Sequence, residues 1–411
     1  MILFIFAICC FLLPHVSSST PNGTLELLDA TEYPNSKCLD GTPYGLYFLP
    51  SPTNASAMDK SRWMIVLNGG GLCTHESDCT SRSKTDLGSS NAFAPVYNMD
   101  DNALTSTDTR SPFSQVNKVF MPYCSGDMHA GQRITADNST FGLYFSGYHN
   151  IVGALQHLSE KYALNTSGNT LVWGGGSAGG VGVFSTVDHV AALLPSLRVV
   201  GAPVGGFPPE IVWSIIKGSA PPSEDVRTPA FAVNNQLFNA VLPMACVSAL
   251  GSELAYQCGV PHIAYPYLQT PSFIMEAKTD IVITCGFEGQ PCTPPWKALL
   301  NPDNWHRWIE YGQNMTATMA DTVMKSERDG LFAPSCLMHT GFTLGGPIID
   351  GMNVVDALYA WMYPSTDSRN LSNSNKHADV CKDGKYYPPC GEKCPPITKP
   401  VTTTKKVLGQ W

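Results

Sequence analysis

Beyond its first residues the chain has no apolar run near the ~20 residues that a membrane helix needs. Its net charge of −8 is spread without acidic or basic blocks, and no Lys/Arg stripe marks a nucleic-acid surface. No Cys-x-x-Cys pair occurs, and Cys390-x-x-x-Cys394 has no facing His pair, so no metal site is expected. There is no internal repeat. Together these absences argue against membrane-spanning, nucleic-acid-binding, zinc-module and repeat classes. They leave a globular chain of ordinary 43% hydrophobic content.

The N-terminus is different. Ile2 to Leu13 is apolar but too short to span a bilayer, and Val16-Ser17-Ser18 offers small residues for cleavage. Residues 1–18 are therefore expected to be a signal peptide, although no Lys or Arg precedes the apolar run. The last residues, Val407 to Trp411, carry no long apolar tail, so no lipid anchor is expected. Two of the 14 cysteines, Cys9 and Cys10, would leave with the signal. Twelve remain, an even number that favours disulfides in a secretory chain, with the pairing left open. Sequons at Asn22, Asn54, Asn138, Asn165, Asn314 and Asn370 are candidate glycan sites in that compartment. Residues 19–363 read as one large domain. From about Pro364 the chain turns polar and Pro/Cys-rich, and 364–411 reads as a disulfide-tied appendage with a loose tail.

Short apolar runs at Trp63–Leu67, Lys118–Met121, Leu171–Trp173, Leu197–Val200 and Ser272–Glu276 predict buried strands. Helical spacing marks Tyr148–Tyr162, Val181–Leu194, Asn304–Lys325 and Met352–Met362. Alternation of the two predicts an α/β fold, a mostly parallel sheet with helices on both faces. Such sheets carry their sites at the carboxyl ends of the strands, where Asn68–Gly71, Ser177 and Asp280 all fall.

Gly175-x-Ser177-x-Gly179, between a strand and a helix, is the pattern of a nucleophile elbow, which exposes a serine hydroxyl on a sharp turn. A serine needs a base to take its proton and an acid to hold that base, in this architecture in the order Ser, acid, His. Among later histidines, His189 falls on the elbow helix, His306 on a helix between tryptophans and His377 in the polar tail. His339, ending the apolar run from Phe332, is the best-placed base, with His262 in a loop as the second candidate. Asp280, just past a core strand, is the favoured acid, and Glu276 is its near rival. Gly69, Gly70 and Gly71 follow an early strand, where backbone N–H groups free of side chains could face a developing oxyanion. The N–H of Ala178, next to the nucleophile, would be the other donor.

These segments, in this order, resemble the pectin acetylesterase and Notum family of secreted serine esterases. The likeness runs through Leu67-Asn68-Gly69-Gly70-Gly71-Leu72-Cys73, Cys79-x-Ser81-Arg82, Leu87-Gly88-Ser89-Ser90, Tyr123-Cys124 and Phe145-Ser146-Gly147. It continues through the elbow, Ser335-Cys336-x-x-His339 and the late cysteines Cys381, Cys390 and Cys394. Asn68 stands where the family has Glu and Leu72 where it has Trp, and around Asp280 only the Asp of the family's acid segment is kept. The resemblance implies an α/β-hydrolase fold, a catalytic trio of Ser177, Asp280 and His339, no cofactor or metal, and ester hydrolysis outside the cell. The substrate would be an acylated polysaccharide or an acylated secreted protein. The triple glycine and Leu-Gly-Ser-Ser segments look more like the pectin acetylesterases, which remove acetyl groups from cell-wall galacturonans. Notum-type members instead remove a long acyl chain from a signalling protein. A third reading is a catalytically silent binding protein on the same scaffold.

Overall fold

The computed structural model describes residues 22–208, 236–283, 305–364, 375–381 and 390–394. The expected signal peptide, Asn370, Cys285 and Cys292 lie outside them. Among the described residues no helix is long and apolar enough to cross a membrane.

Among the described residues the strands are β1 Asn22–Leu27, β2 Gly45–Leu49, β3 Arg62–Leu67, β4 Val96–Asn98, β5 Asn117–Met121, β6 Thr170–Gly176, β7 Arg198–Val204, β8 Phe273–Met275, β9 Thr279–Asp280, β10 Gly330–Ala333, β11 Leu337–Met338 and β12 Lys376–Ala378. Ten form one sheet in the order β12-β10-β8-β7-β6-β3-β5-β2-β1-β4. From β12 to β5 neighbours run parallel, while β2, β1 and β4 add an antiparallel edge. The fold is therefore α/β with a mixed, mostly parallel sheet.

The two-residue period of a strand decides what each face packs against. Trp63, Ile65, Leu67, Leu171 and Trp173 point to one side, joining Ile151, Leu155 and Leu158 of helix Gly147–Tyr162 and Val183, Phe184 and Val187 of helix Ala178–Leu193. Met64, Val66, Val172, Val200 and Ala202 point to the other, against Val354, Val355 and Leu358 of helix Val354–Met362. Strands buried on both faces read as continuous apolar runs, and all six residues of β3 are buried.

The outer strands are held by polar contacts. Glu26 of β1 accepts hydrogen bonds from Lys161 and Tyr162 and pairs with His157 at 2.8 Å, clamping the edge hairpin to helix Gly147–Tyr162. At the other edge, β12 falls in the segment expected to be an appendage, yet it pairs with β10 as part of the main sheet. Its His377 is buried and bonded to Asp350 at 2.9 Å rather than lying in a polar tail. Disulfides join Cys38–Cys124, Cys73–Cys79, Cys246–Cys258, Cys336–Cys394 and Cys381–Cys390.

Candidate active site

β6 runs out through glycines into Ser177, whose φ of 57° and ψ of −121° no ordinary strand or helix residue adopts. Holding a side-chain-bearing residue there costs ~1–3 kcal/mol, so the neighbours must over-determine it. They do so by close approach. A Cβ on Gly179 would stand 2.3 Å from the Leu67 carbonyl oxygen, so only glycine lets helix Ala178–Leu193 start against the end of β3. Ser177 N–H donates to the Val204 carbonyl at 2.8 Å, and its own carbonyl takes the first helical bond, from Val181 N at 3.0 Å. Turn and helix together fix the serine between strands β3 and β7.

The expected acid and base meet. β9 pairs with β11 in the register Met338↔Asp280, which puts the next residue, His339, beside the carboxylate. His339 Nδ1 and Asp280 Oδ2 are 2.5 Å apart. Asp280 is fully buried, and its other oxygen accepts the N–H groups of Val282 and Ile283 at 2.9 and 3.0 Å. His339 Nε2 is buried with no hydrogen-bond partner among the described residues. The ring borders Gly205, where a Cβ would lie 3.1 Å from Nδ1. Thr340, the next residue, packs 3.4 Å from where a Cβ on Gly176 would stand, so the His339 segment lies against the elbow.

The rival histidines are engaged elsewhere. His262 Nδ1 faces the Pro208 carbonyl at 3.2 Å, and His189 Nε2 faces that of Leu242 at 3.0 Å. The side chain of His306 lies outside the described residues. Glu276, the rival acid, is fully buried and accepts the N–H of Phe207 at 2.8 Å. Burial, with the charge of Asp280 beside it, raises Glu276 well above the ordinary carboxylate range.

Gly69 lies against the elbow so closely that a Cβ there would be 2.8 Å from both the Gly176 oxygen and Ser177 Cβ. Gly69, Gly70, Ser177 and Thr340 line a cavity of about 420 Å³, whereas Gly71 and Ala178 are not among its lining residues. Two side chains hold the carbonyls of this glycine loop. Arg82 donates to Gly70 O at 2.7 Å and to Leu72 O at 3.3 Å. His129, which burial pushes down to about 4 and so keeps neutral, donates from Nε2 to Asn68 O at 2.9 Å. Because a peptide's C=O and N–H point opposite ways, tying these carbonyls back fixes where the following N–H groups aim. The sequence offered little to find them by. His129 precedes the serine, and Arg82 showed itself only as a spacing after Cys79.

Among the sequons, Asn54 and Asn138 are exposed. Asn314 sits in helix Trp305–Asp321 with its amide donating to Glu310 O at 2.8 Å.

The pectinacetylesterase family profile matches residues 16–394. The chain is 27% identical to the palmitoleoyl-protein carboxylesterase notum1' of Xenopus laevis, covering 88% of this chain and 72% of that protein. It is 28% identical to notum1a of Danio rerio, over 88% of this chain and 70% of that one. The crystal structure of the Wnt deacylase Notum from Drosophila superposes with a TM-score of 0.72 at 22% identity, covering 91% of this chain and all of that one, which shows a shared fold. The chain belongs to the pectinacetylesterase and Notum family of carboxylesterases.

Proposed function

We propose that the chain is a secreted serine esterase that removes O-acetyl groups from a pectin-like polysaccharide through an acyl-serine intermediate. The observation that carries the chemistry is the Asp280–His339 contact, with His339 Nε2 buried without a hydrogen-bond partner among the described residues and the next residue, Thr340, packed against the elbow. In this reading Ser177 Oγ attacks the ester carbonyl while His339 Nε2 takes its proton, and Asp280 holds the ring through Nδ1. Backbone N–H groups of the Gly69–Gly71 loop and of Ala178 face the oxyanion, each donor worth ~3 kcal/mol. His339 returns the proton to the departing sugar hydroxyl. Water, activated by the same nitrogen, then releases acetate and frees Ser177. Five disulfides among the described residues support an oxidising, extracellular setting.

The sugar alcohol is supported by polar side chains around the serine: Asn68, Tyr97, Asn102, Thr340 and Thr343 all line the cavity. The second reading, removal of a long acyl chain from a secreted protein, is favoured by the names of the relatives and by Leu104 and Phe342 in the same lining. Aryl esters from acetate to dodecanoate, compared by kcat/KM at one leaving group, separate them. A maximum at acetate or butyrate is expected. A long-chain pocket would instead gain ~0.8 kcal/mol per buried methylene, and a maximum at about eight carbons or more overturns the acetyl reading. Ser177→Ala should abolish both turnover and fluorophosphonate labelling. Wild-type protein that takes no label would support the silent binding protein instead.

A further inference from the structure

Behind the acid–base pair lies a second buried carboxyl that the steps above do not use. Glu276 and Asp280 are both 0% exposed, and after burial the charge of Asp280 is the largest influence raising the Glu276 carboxyl, so the two lie close together. Two carboxylates so placed cannot share a dry site as two anions, because repulsion adds to the loss of water, so one proton must be kept. The donors around them decide which one keeps it. Asp280 accepts two backbone N–H groups on Oδ1 and faces His339 Nδ1 with Oδ2, so three donors favour its anionic form and one acceptor position is left. Glu276 takes Phe207 N–H on Oε2 and is reached by Gly206 N–H, while its Oε1 is buried with no donor among the described residues. A bare acceptor in that position is costly. Placing the proton on Oε1 turns it into a donor aimed at Asp280 and removes the cost.

We propose that Glu276 acts as a neutral carboxylic acid whose O–H donates to Asp280 and holds that carboxylate in line with His339, making it a positioning residue of the acid–base pair. Its carboxyl also ties the end of β7, through Phe207, to the acid loop, so the hydrogen bond connects two of the strand ends that frame the serine. Among the described residues few other titratable groups face it. Tyr311, from helix Trp305–Asp321, is buried and held well above its ordinary range by burial first and then by the charge of Asp280. His339 lies beyond Asp280, and Lys278, two residues along, turns its ammonium to the Asp379 carbonyl at 2.6 Å. No proton leaves Glu276 during turnover. Its role is geometry and charge balance.

This inference rests on the Ser177, His339 and Asp280 reading. The test compares wild type, Glu276→Gln and Glu276→Leu on aryl acetate, with thermal unfolding measured for each. Gln keeps both an N–H for Asp280 and an oxygen for Phe207, so its kcat should stay close to wild type. Leu removes the donor, and kcat should fall about 10²-fold with KM little changed, as expected for a misaligned catalytic group. Where the Leu variant does not fold, infrared spectroscopy decides. The carbonyl stretch of a protonated carboxyl at neutral pH should be present in wild type and lost in Glu276→Gln. Wild-type kcat in Glu276→Leu, Gln as impaired as Leu, or no protonated-carboxyl band overturns the proposal. Activity surviving in Ser177→Ala would instead overturn the underlying reading.

Discussion

Arg82 touches no reacting atom in the acyl-transfer reading, yet the glycine loop has few other restraints. Gly70 has φ of +148° and Gly71 of +67°, conformations that glycine alone holds cheaply and that leave the peptides free to turn. The guanidinium fork on Gly70 and Leu72 takes that freedom away. A loop whose N–H groups wander loses part of the ~3 kcal/mol that an oxyanion donor contributes. Arg82→Met should therefore lower kcat about 10²-fold with KM on aryl acetate nearly unchanged. Arg82→Lys should rescue little, because an ammonium cannot serve two carbonyls with a planar fork. Steady-state kinetics on variants of unchanged thermal stability check this, and wild-type kcat in Arg82→Met would show that the glycine loop is held without the arginine.

The turn after β5 carries two buried groups whose proton affinities move in opposite directions. Asp127 is fully buried and accepts Ser125 Oγ at 2.6 Å, Gly147 N at 2.8 Å and His129 N at 3.1 Å. Burial still pushes it up to about 6 from 3.8, while the same burial pushes His129 down to about 4 from 6.5. Asp127 binds its proton more tightly folded than unfolded, so its contribution is present below about pH 4 and lost as pH rises through 6. His129 binds its proton more weakly folded, so its contribution is present above about pH 6.5 and lost as pH falls through 4. Each is worth about 3 kcal/mol at most, and across pH 4 to 6 the two slopes nearly cancel. His129→Gln, which keeps a donor for Asn68 O, removes one slope. Its melting temperature, relative to wild type, should rise as pH falls from 6.5 to 4. A parallel pair of melting curves across that range would contradict the opposed titrations.

Across the molecule, the late part of the chain is fastened to the strand ends that frame the serine. Cys336 lies between β10 and β11, three residues before His339, and is bonded to Cys394 across 58 residues. Ser335 N–H donates to Asp379 at 2.7 Å, beside β12, so disulfide and hydrogen bond hold the same crossing. Closing a loop of that length contributes about 4 kcal/mol in the chain-entropy view. The double variant Cys336→Ala/Cys394→Ala should lose stability of that order. Its kcat should fall as well, because the segment ending in His339 loses its anchor. Thermal unfolding and turnover on aryl acetate measure the two effects, and an unchanged melting temperature would show the crossing is held without the disulfide.

Much of this architecture is written in local pattern. β3, β5 and β6 each carry a continuous apolar run, Trp63–Leu67, Val119–Met121 and Leu171–Trp173, because both faces of a central strand are covered, and that signal survives without any knowledge of neighbours. The helices Gly147–Tyr162 and Val354–Met362 carry apolar stripes for the same reason, and glycines around Ser177 mark a turn that larger residues would block. The edges are not legible in this way. β1 is half exposed and β12 is only Lys-His-Ala, so neither has a period to read, and both are strands because a neighbour supplies their hydrogen bonds. The disulfide pairing is equally silent in sequence. Position along the chain favours Asp280 over Glu276 and His339 over His262 but decides neither choice. The carboxylate and imidazole that meet are 59 residues apart, and their contact follows from the register of β9 on β11. Burial periodicity is a property of a short segment and can be read from it, whereas register between distant segments exists only once the sheet has formed.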